Sequence, residues 1–239
     1  MFIITISKEI SMISLFIFVF IIALLSLSFH SNYVVSAINN RVENPIYKGN
    51  ENESKIALEC NVVWGTEFVP QMLNILKEKS VRITFFIGGK WAENNPELLK
   101  DIVSNNHEIG NHGYDHKMHS QLNNVNNKKE ILKTQEIITS ICGKRTDLFA
   151  PPSGDFNDLT LNVVHELGYN TILWSIDTID WKREGKDIII RRVLQKPHNG
   201  AFILMHPTKY TVEALPEMID GLRGKGFSIC TISELIKKD

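Results

Sequence analysis

The sequence predicts an α/β fold in which parallel strands alternate with helices, and three observations support this. Short runs of β-branched and aromatic residues alternate with segments whose apolar residues recur at helical spacing, which makes seven or so β-α units in succession. The 239 residues are enough for one domain of about 200 residues with a buried core. Polar and aromatic residues cluster where the predicted strands end. We therefore expect a parallel sheet, either a barrel or doubly wound, with its chemistry at the carboxyl ends of the strands.

The predicted strands are short runs bounded by turn residues. Val81 to Ile87 has the strongest β character and stops at Gly88 and Gly89. Glu108 to Asn111 is a short strand that runs straight into two histidines. The full set of predicted strands is Lys55–Val63, Val81–Ile87, Glu108–Asn111, Leu148–Ala150, Thr171–Ser175, Ala201–Met205 and Phe227–Cys230.

The predicted helices carry apolar residues on one face. Pro96 suits the first turn of a helix, and the apolar residues Leu98, Leu99, Ile102 and Val103 share a face after it. The other predicted helices are Phe68–Lys79, Lys128–Cys142, Leu159–Leu167, Asp187–Leu194, Val212–Arg223 and Ile232–Lys237.

The N-terminal segment from Ile10 to Phe29 contains no charged residue, and Lys8 precedes it. About 20 apolar residues can cross a bilayer, so a retained membrane anchor is the favoured interpretation. The small residues Val35-Ser36-Ala37 also suit signal peptidase, which would cleave after Ala37. A buried helix of a soluble protein is the third alternative. The first two alternatives place the rest of the chain outside the cytoplasm.

Three segments follow from this pattern: an anchor or signal peptide over 1–30, a polar linker over 31–54, and one domain over 55–239. Lys and Arg number 26 against 27 Asp and Glu, so the composition gives no reason to expect a nucleic-acid partner. Cys60, Cys142 and Cys230 are odd in number and widely spaced, which argues against a disulfide framework. We expect a monomer.

His112 and His116 lie four residues apart just past a predicted strand, and this spacing can hold a metal ion. A catalytic zinc ion takes three protein ligands and keeps one position open. The alternative is a surface loop that happens to contain histidines. Polar or aromatic residues end four other predicted strands, as at an active site: Asn61 to Gly65, Pro151 to Gly154, Asp177 to Trp181, and His206.

From about Lys55 to Leu235 the chain resembles polysaccharide deacetylases with a NodB homology domain, especially the membrane-anchored members tied to sporulation. The resemblance rests on three motifs: His107-Glu108-Ile109-Gly110-Asn111-His112 through His116, Trp174-Ser175-Ile176-Asp177-Thr178-Ile179-Asp180-Trp181, and Ile203-Leu204-Met205-His206. It implies a distorted (β/α)7 barrel and a divalent metal, with zinc the first choice and cobalt or manganese the alternatives. The implied partners are an acetylated polysaccharide and, through the N-terminal segment, a membrane.

Two family motifs are altered. The family ends its first strand with T-F-D-D-G, in which the first Asp is the general base and the second a metal ligand. This chain has Asn61 and Val62 at those positions. An amide cannot accept the proton as a base, and a valine side chain cannot bind a metal ion. The Arg that pairs with the base is Ala150 here. The losses belong together, because a buried Arg without its carboxylate would be an uncompensated charge.

The resemblance also implies roles for residues that remain. His112 and His116 match the metal ligands, and His206 matches the acid that protonates the leaving amine, with Asp180 orienting it. The backbone N–H of Ser153, beside Pro152, matches an oxyanion donor. The two tryptophans Trp64 and Trp181 stack on a sugar ring or pack in the core.

Glu59 is the best substitute base or third ligand, because it shares a strand face with Asn61. The alternative is a polar residue of the barrel interior that bonds to a neighbouring strand. Asp115 is a further candidate ligand. Two functions stay open: a metal-dependent hydrolase that removes N-acetyl groups from extracellular peptidoglycan or a chitin-like glycan, and a catalytically silent relative that binds glycan or acts as a scaffold.

Overall fold

The computed structural model describes residues 18–26 and 44–237. Residues 18–26 are helical (α1) and belong to a unit that ends at Val42, whereas Glu43–Asp239 form a second unit. Most of the predicted anchor from Ile10 to Phe29, and the cleavage site after Ala37, lie outside the described residues. Within the described part of the chain, no helix is both long and apolar enough to cross a membrane.

The larger unit is built on one parallel sheet. Seven strands follow the order β5-β4-β3-β2-β1-β7-β6, and β8 pairs with the first residues of β1. All of these pairings are parallel. The strands are β1 (Lys55–Val62), β2 (Thr84–Ile87), β3 (Glu108–Asn111), β4 (Leu148–Phe149), β5 (Asn170–Thr171), β6 (Ile176–Asp177), β7 (Phe202–Met205) and β8 (Ser228–Cys230).

The strands at the two edges of the sheet, β5 and β6, follow each other directly in the chain. The short connection between them curls the sheet into a partly closed barrel. Ile172 N donates to Phe149 O on one edge, and Ser175 N donates to Phe202 O on the other. The single strand predicted over Thr171–Ser175 is therefore wrong. The chain crosses from β5 to β6 there, because each half satisfies its backbone groups on a different neighbour.

Helices follow most strands, as the alternating pattern predicted. Beyond α1 they are α2 (Val69–Glu78), α3 (Gly89–Asn94), α4 (Pro96–Ser104), α5 (Asn124–Cys142), α6 (Asp158–Glu166), α7 (Lys186–Gln195), α8 (Lys209–Gly224) and α9 (Ile232–Ile236). Helix α3 was not predicted. Helix α5 begins four residues before the predicted Lys128, because Asn123 caps it by accepting from Asn126 N.

Side chains of β1 alternate between two apolar layers. Leu58, Cys60 and Val62 join the larger cluster that packs the sheet against the helices. Ala57 joins the second cluster, with Phe86 from β2 and other residues. By the same alternation, Glu59 and Asn61 share the face of Ala57, as the two-residue period predicted. Cys60 is a fully buried small residue, as expected, and all three cysteines are free.

The described part of the predicted linker pairs with the domain. Ile46 forms a parallel bridge with Ile172, and Lys48 an antiparallel bridge with Ala201. Ile46 N also donates to Thr171 O at 2.8 Å. This short segment therefore lies beside the place where the two sheet edges meet.

Candidate active site

A cleft of about 410 Å³ opens at the carboxyl ends of the strands, where the sequence placed the chemistry. It brings together seven of the predicted site residues from five separate loops and strand ends. The residues that line it are Asn61, Val63, Trp64, His112, His116, Ser153, Trp174, Asp177, Trp181, Leu204 and His206. Glu59, Asp180 and Pro152 are buried and do not line the cleft. Trp174 and Asp177 line it, although no role was assigned to them from the sequence.

The two histidines of the H-x3-H motif face each other. Their ring centroids are 5.1 Å apart at an interplanar angle of 62°. His112 Nδ1 lies 2.7 Å from Ala150 O, so Nδ1 carries the proton and Nε2 keeps a free lone pair. Burial, and secondarily the nearby His116, lowers the pKa of His112 to about 3. His112 is therefore a neutral imidazole, the form that binds metals.

The loop that carries His116 is held by a buried carboxylate on α5. Glu130 Oε2 accepts from Tyr114 N at 2.9 Å and Asp115 N at 2.7 Å, and Oε1 accepts from Lys117 Nζ at 2.9 Å. His116 adopts a left-handed φ of 55°, which few non-glycine residues adopt. Sequence analysis missed Glu130, because one buried acid within a helix rich in charged and polar residues has no local signal.

Asp115 does not contact the two imidazoles. Its carboxylate lies 3.4 Å from Lys90 Nζ and 3.4 Å from Lys117 Nζ, and it does not line the cleft. The structure therefore pairs this candidate ligand with two lysines rather than with the two imidazoles.

His206 and Asp180 form a second polar pair, as the sequence predicted. Asp180 Oδ1 is 2.8 Å from His206 Nδ1, and Oδ2 accepts from His206 N at 2.6 Å. Thr211 Oγ1 donates to the same carboxylate at 2.6 Å. The ring of Trp64 stacks on His206 with centroids 5.6 Å apart and a 10° interplanar angle. His206 is thus fixed on one side by a fully buried carboxylate and on the other by an aromatic ring.

The tryptophans are open to solvent rather than packed in the core. Trp181 is 54% exposed and Trp64 is 40% exposed. Ser153 has a left-handed φ of 58° and lines the cleft, whereas Pro152 is buried beneath it. Flat exposed rings beside polar side chains suit a sugar ring, which has apolar faces and a hydroxylated rim.

Asn61 and Glu59 are buried polar residues with unpaired oxygens. Asn61 is 4% exposed and Glu59 is 1% exposed, and neither Asn61 Oδ1 nor Glu59 Oε2 has a hydrogen-bond partner among the residues that the structure describes. Burial, and secondarily Asp177, raises the pKa of Glu59 well above its ordinary value. Burial therefore favours the neutral carboxyl form of Glu59, and in that form the group cannot take up a proton as a base.

The donor set does not fit the metal centre that the family resemblance implies. Val62, at the position of the family's metal carboxylate, is fully buried in the larger apolar cluster. Over residues 18–26 and 44–237, no three His, Cys, Asp or Glu side chains are grouped so as to hold an ion. Two imidazoles remain, whereas a catalytic zinc ion takes three protein ligands.

Comparison with known proteins agrees with these motifs. The family model for polysaccharide deacetylase matches residues 48–172. The uncharacterised protein YlxY of Bacillus subtilis is 42% identical over 192 residues, which cover 80% of this chain and 60% of YlxY. A peptidoglycan-N-acetylglucosamine deacetylase of Bacillus cereus is 32% identical over 196 residues, covering 80% of this chain and 71% of the relative.

Among solved structures, a pseudoenzyme of carbohydrate esterase family 4 from Bacillus anthracis is similar with a TM-score of 0.79 and 40% identity, covering 81% of this chain and 69% of that chain. A mutant of that pseudoenzyme with restored enzymatic activity superposes with a TM-score of 0.79. The similar proteins thus include both hydrolases and a pseudoenzyme. This chain belongs to the polysaccharide deacetylase family of carbohydrate-acting hydrolases. The replacement of the family's base, metal carboxylate and Arg by Asn61, Val62 and Ala150 bears on its catalytic competence.

Proposed function

We propose that this chain binds acetylated peptidoglycan in the cleft and that its hydrolytic step is silent. The observation that carries the proposal is the contrast between the two parts of the cleft. The recognition surface is complete, with exposed Trp64 and Trp181 and the fixed pair His206–Asp180. The part of the cleft that would activate water is incomplete. The residue at the family's base position is the amide Asn61, and the described residues offer no third metal ligand.

Similarity to the pseudoenzyme of Bacillus anthracis supports this proposal, since it is 40% identical over most of this chain. The peptidoglycan deacetylases among the relatives support the choice of glycan. We place the domain outside the cytoplasm in the cell envelope of a sporulating cell, anchored by residues 1–30 or released after Ala37. Protease accessibility of the domain on intact cells tests this placement.

Glycan binding is tested by removing an exposed aromatic ring. We expect Trp181→Ala to weaken binding of acetylated peptidoglycan fragments by about tenfold or more, because an aromatic anchor contributes a large share of binding free energy. Isothermal titration calorimetry measures the change. Tyr47→Ala is the control, because Tyr47 is 46% exposed and does not line the cleft. Equal affinity of the native chain and Trp181→Ala would remove the proposal.

A second candidate is slow metal-dependent deacetylation, with His112, His116 and zinc, cobalt or manganese at the site. The intact pair His206–Asp180 favours it, because a binding surface alone has no need of a fixed proton donor. In this candidate Glu59 replaces the missing base, so Glu59→Gln would abolish acetate release from peptidoglycan and chitin oligomers.

The raised pKa of Glu59 predicts a different result for the same substitution. A carboxyl whose pKa is raised by folding keeps its proton to a higher pH in the fold than in the unfolded chain. Its contribution to the free energy of unfolding therefore falls by about 1.4 kcal/mol per pH unit as the pH rises above the ordinary Glu value. We expect Glu59→Gln to unfold at higher urea concentration than the native chain at pH 8 and to lack this slope. If the native chain and Glu59→Gln showed the same pH slope, or if the variant were less stable at pH 8, the raised pKa of Glu59 would be contradicted.

A further inference from the structure

A second cavity, of about 560 Å³, lies beside the cleft and is separated from it by Trp64, whose ring lines both. We call it the Arg183 pocket. Its walls come from the start of α8, the loop after β1 and the loop after β6. The lining residues are Trp64, Gly65, Glu67, Phe68, Arg183, Thr208, Lys209 and Tyr210.

The side chains that line the Arg183 pocket carry a net positive charge. Arg183 and Lys209 are cationic and Glu67 is the single acid of the lining. Lys209 has one weak pairing, with Glu213 at 3.8 Å, outside the lining. Within residues 44–237, Arg183 has no ion-pair partner. An unpaired guanidinium at the wall of a cavity is suited to a bidentate contact with a carboxylate.

The backbone presents Arg183 in an uncommon conformation. Its φ is 56°, in the left-handed region that non-glycine residues seldom adopt. Arg183 N donates to Asp180 O at 2.9 Å, so the turn that begins at the buried Asp180 ends at Arg183. The backbone of Arg183 is thereby tied to the residue that holds His206 in the cleft.

From this arrangement we propose that the Arg183 pocket binds a carboxylate substituent of the glycan chain whose sugar ring occupies the cleft. Because Trp64 lines both spaces, one glycan chain can reach from the cleft into the Arg183 pocket. A muramic acid residue carries such a group, either as its free lactyl carboxylate or as the carboxylates of an attached peptide. A chitin chain carries none. The inference rests on the proposed function, and it narrows the substrate class from acetylated glycans to acidic ones.

The experiment compares three tetrasaccharides of equal length by calorimetry: chitotetraose, the alternating N-acetylglucosamine and N-acetylmuramic acid tetrasaccharide without peptide, and the same tetrasaccharide with its peptides. We expect the native chain to bind at least one muramic acid ligand about tenfold more tightly than chitotetraose. The preference is expected to shrink at high salt, since Arg183 and Lys209 are solvent-exposed.

The test variant is Arg183→Gln/Lys209→Gln, which keeps a side chain of similar reach at each position. Its matched control is Arg191→Gln/Lys186→Gln. Lys186 and Lys209 each begin a helix, and Arg191 is exposed outside both cavities. We expect the test variant to lose the preference while it still binds chitotetraose, and the control to keep it.

The possible outcomes distinguish failure of carboxylate binding in the Arg183 pocket from failure of glycan binding in the cleft. A preference confined to the peptide-bearing ligand supports the inference and identifies the peptide as the source of the carboxylate. Equal affinity of the native chain for all three ligands would overturn the inference and leave glycan binding standing, as would a preference that survives in the test variant. A native chain that binds none of the three would overturn the proposed function as well.

Discussion

Asn61→Asp combined with Ala150→Arg is expected to raise acetate release from peptidoglycan by roughly 10²–10⁴-fold over the native chain, the usual contribution of a positioned general base. Asn61 lines the cleft, so a carboxylate there can reach a substrate-bound water. Its charge would lie near Asp177 in a buried position, which would hold its pKa high. An Arg at the family's position supplies the opposite charge that keeps the new carboxylate ionised.

The single variants give the comparison. Asn61→Asp alone is expected to release acetate more slowly than the double variant, because the new carboxylate lacks its cationic partner. Ala150→Arg alone places a guanidinium where Ala150 is packed with apolar residues, and we expect it to cost roughly 3–5 kcal/mol of unfolding free energy. A folded double variant with no activity above the native chain would contradict this prediction and leave the missing metal carboxylate at Val62 as the loss that silences the site.

Asp180→Ala is expected to lower the free energy of unfolding by roughly 3–5 kcal/mol, the combined cost of leaving buried hydrogen-bond donors without their shared acceptor. Asp180 accepts from His206 N, His206 Nδ1 and Thr211 Oγ1. Removal of the carboxylate leaves three donors without their partner, two of them on the residue that forms one wall of the cleft. Urea unfolding at pH 7 measures the change.

The matched control for this prediction is Asp177→Ala in the same loop. Asp177 is half-buried, and its carboxylate accepts a hydrogen bond from Ile179 N at 2.7 Å. We expect a loss of about 1 kcal/mol. Similar losses in both variants would contradict the role assigned to Asp180. Glycan affinity is expected to fall in Asp180→Ala, because Trp64 stacks on the His206 ring that Asp180 fixes.

The strand ends were predictable because their signal is local. β3 was predicted residue for residue as Glu108–Asn111, and Lys55–Val63 differs from β1 by one residue. A parallel sheet brings the carboxyl ends of its strands to one edge. The sequence therefore predicts that four residues meet there: Asn61, His112, His116 and His206. The structure confirms that all four line one cleft.

The Thr171–Ser175 segment was mispredicted, because a run of β-forming residues does not show which neighbour each residue pairs with. Only the closure of the sheet splits it between β5 and β6. The same limit applies to Glu130, which is identified as the brace of the His116 loop only by its contacts.

The sequence by itself determined the family, the alternation of strands and helices, and the loss of a base and a metal carboxylate, because each depends on residue type at a given place in the chain. Tertiary structure alone decided the raised pKa of Glu59 and the pairing of Asp115 with lysines. It also decided the position of Arg183 beside Trp64. Burial and the distance between charges set these properties, and both depend on residues that are remote in sequence and adjacent only in the fold.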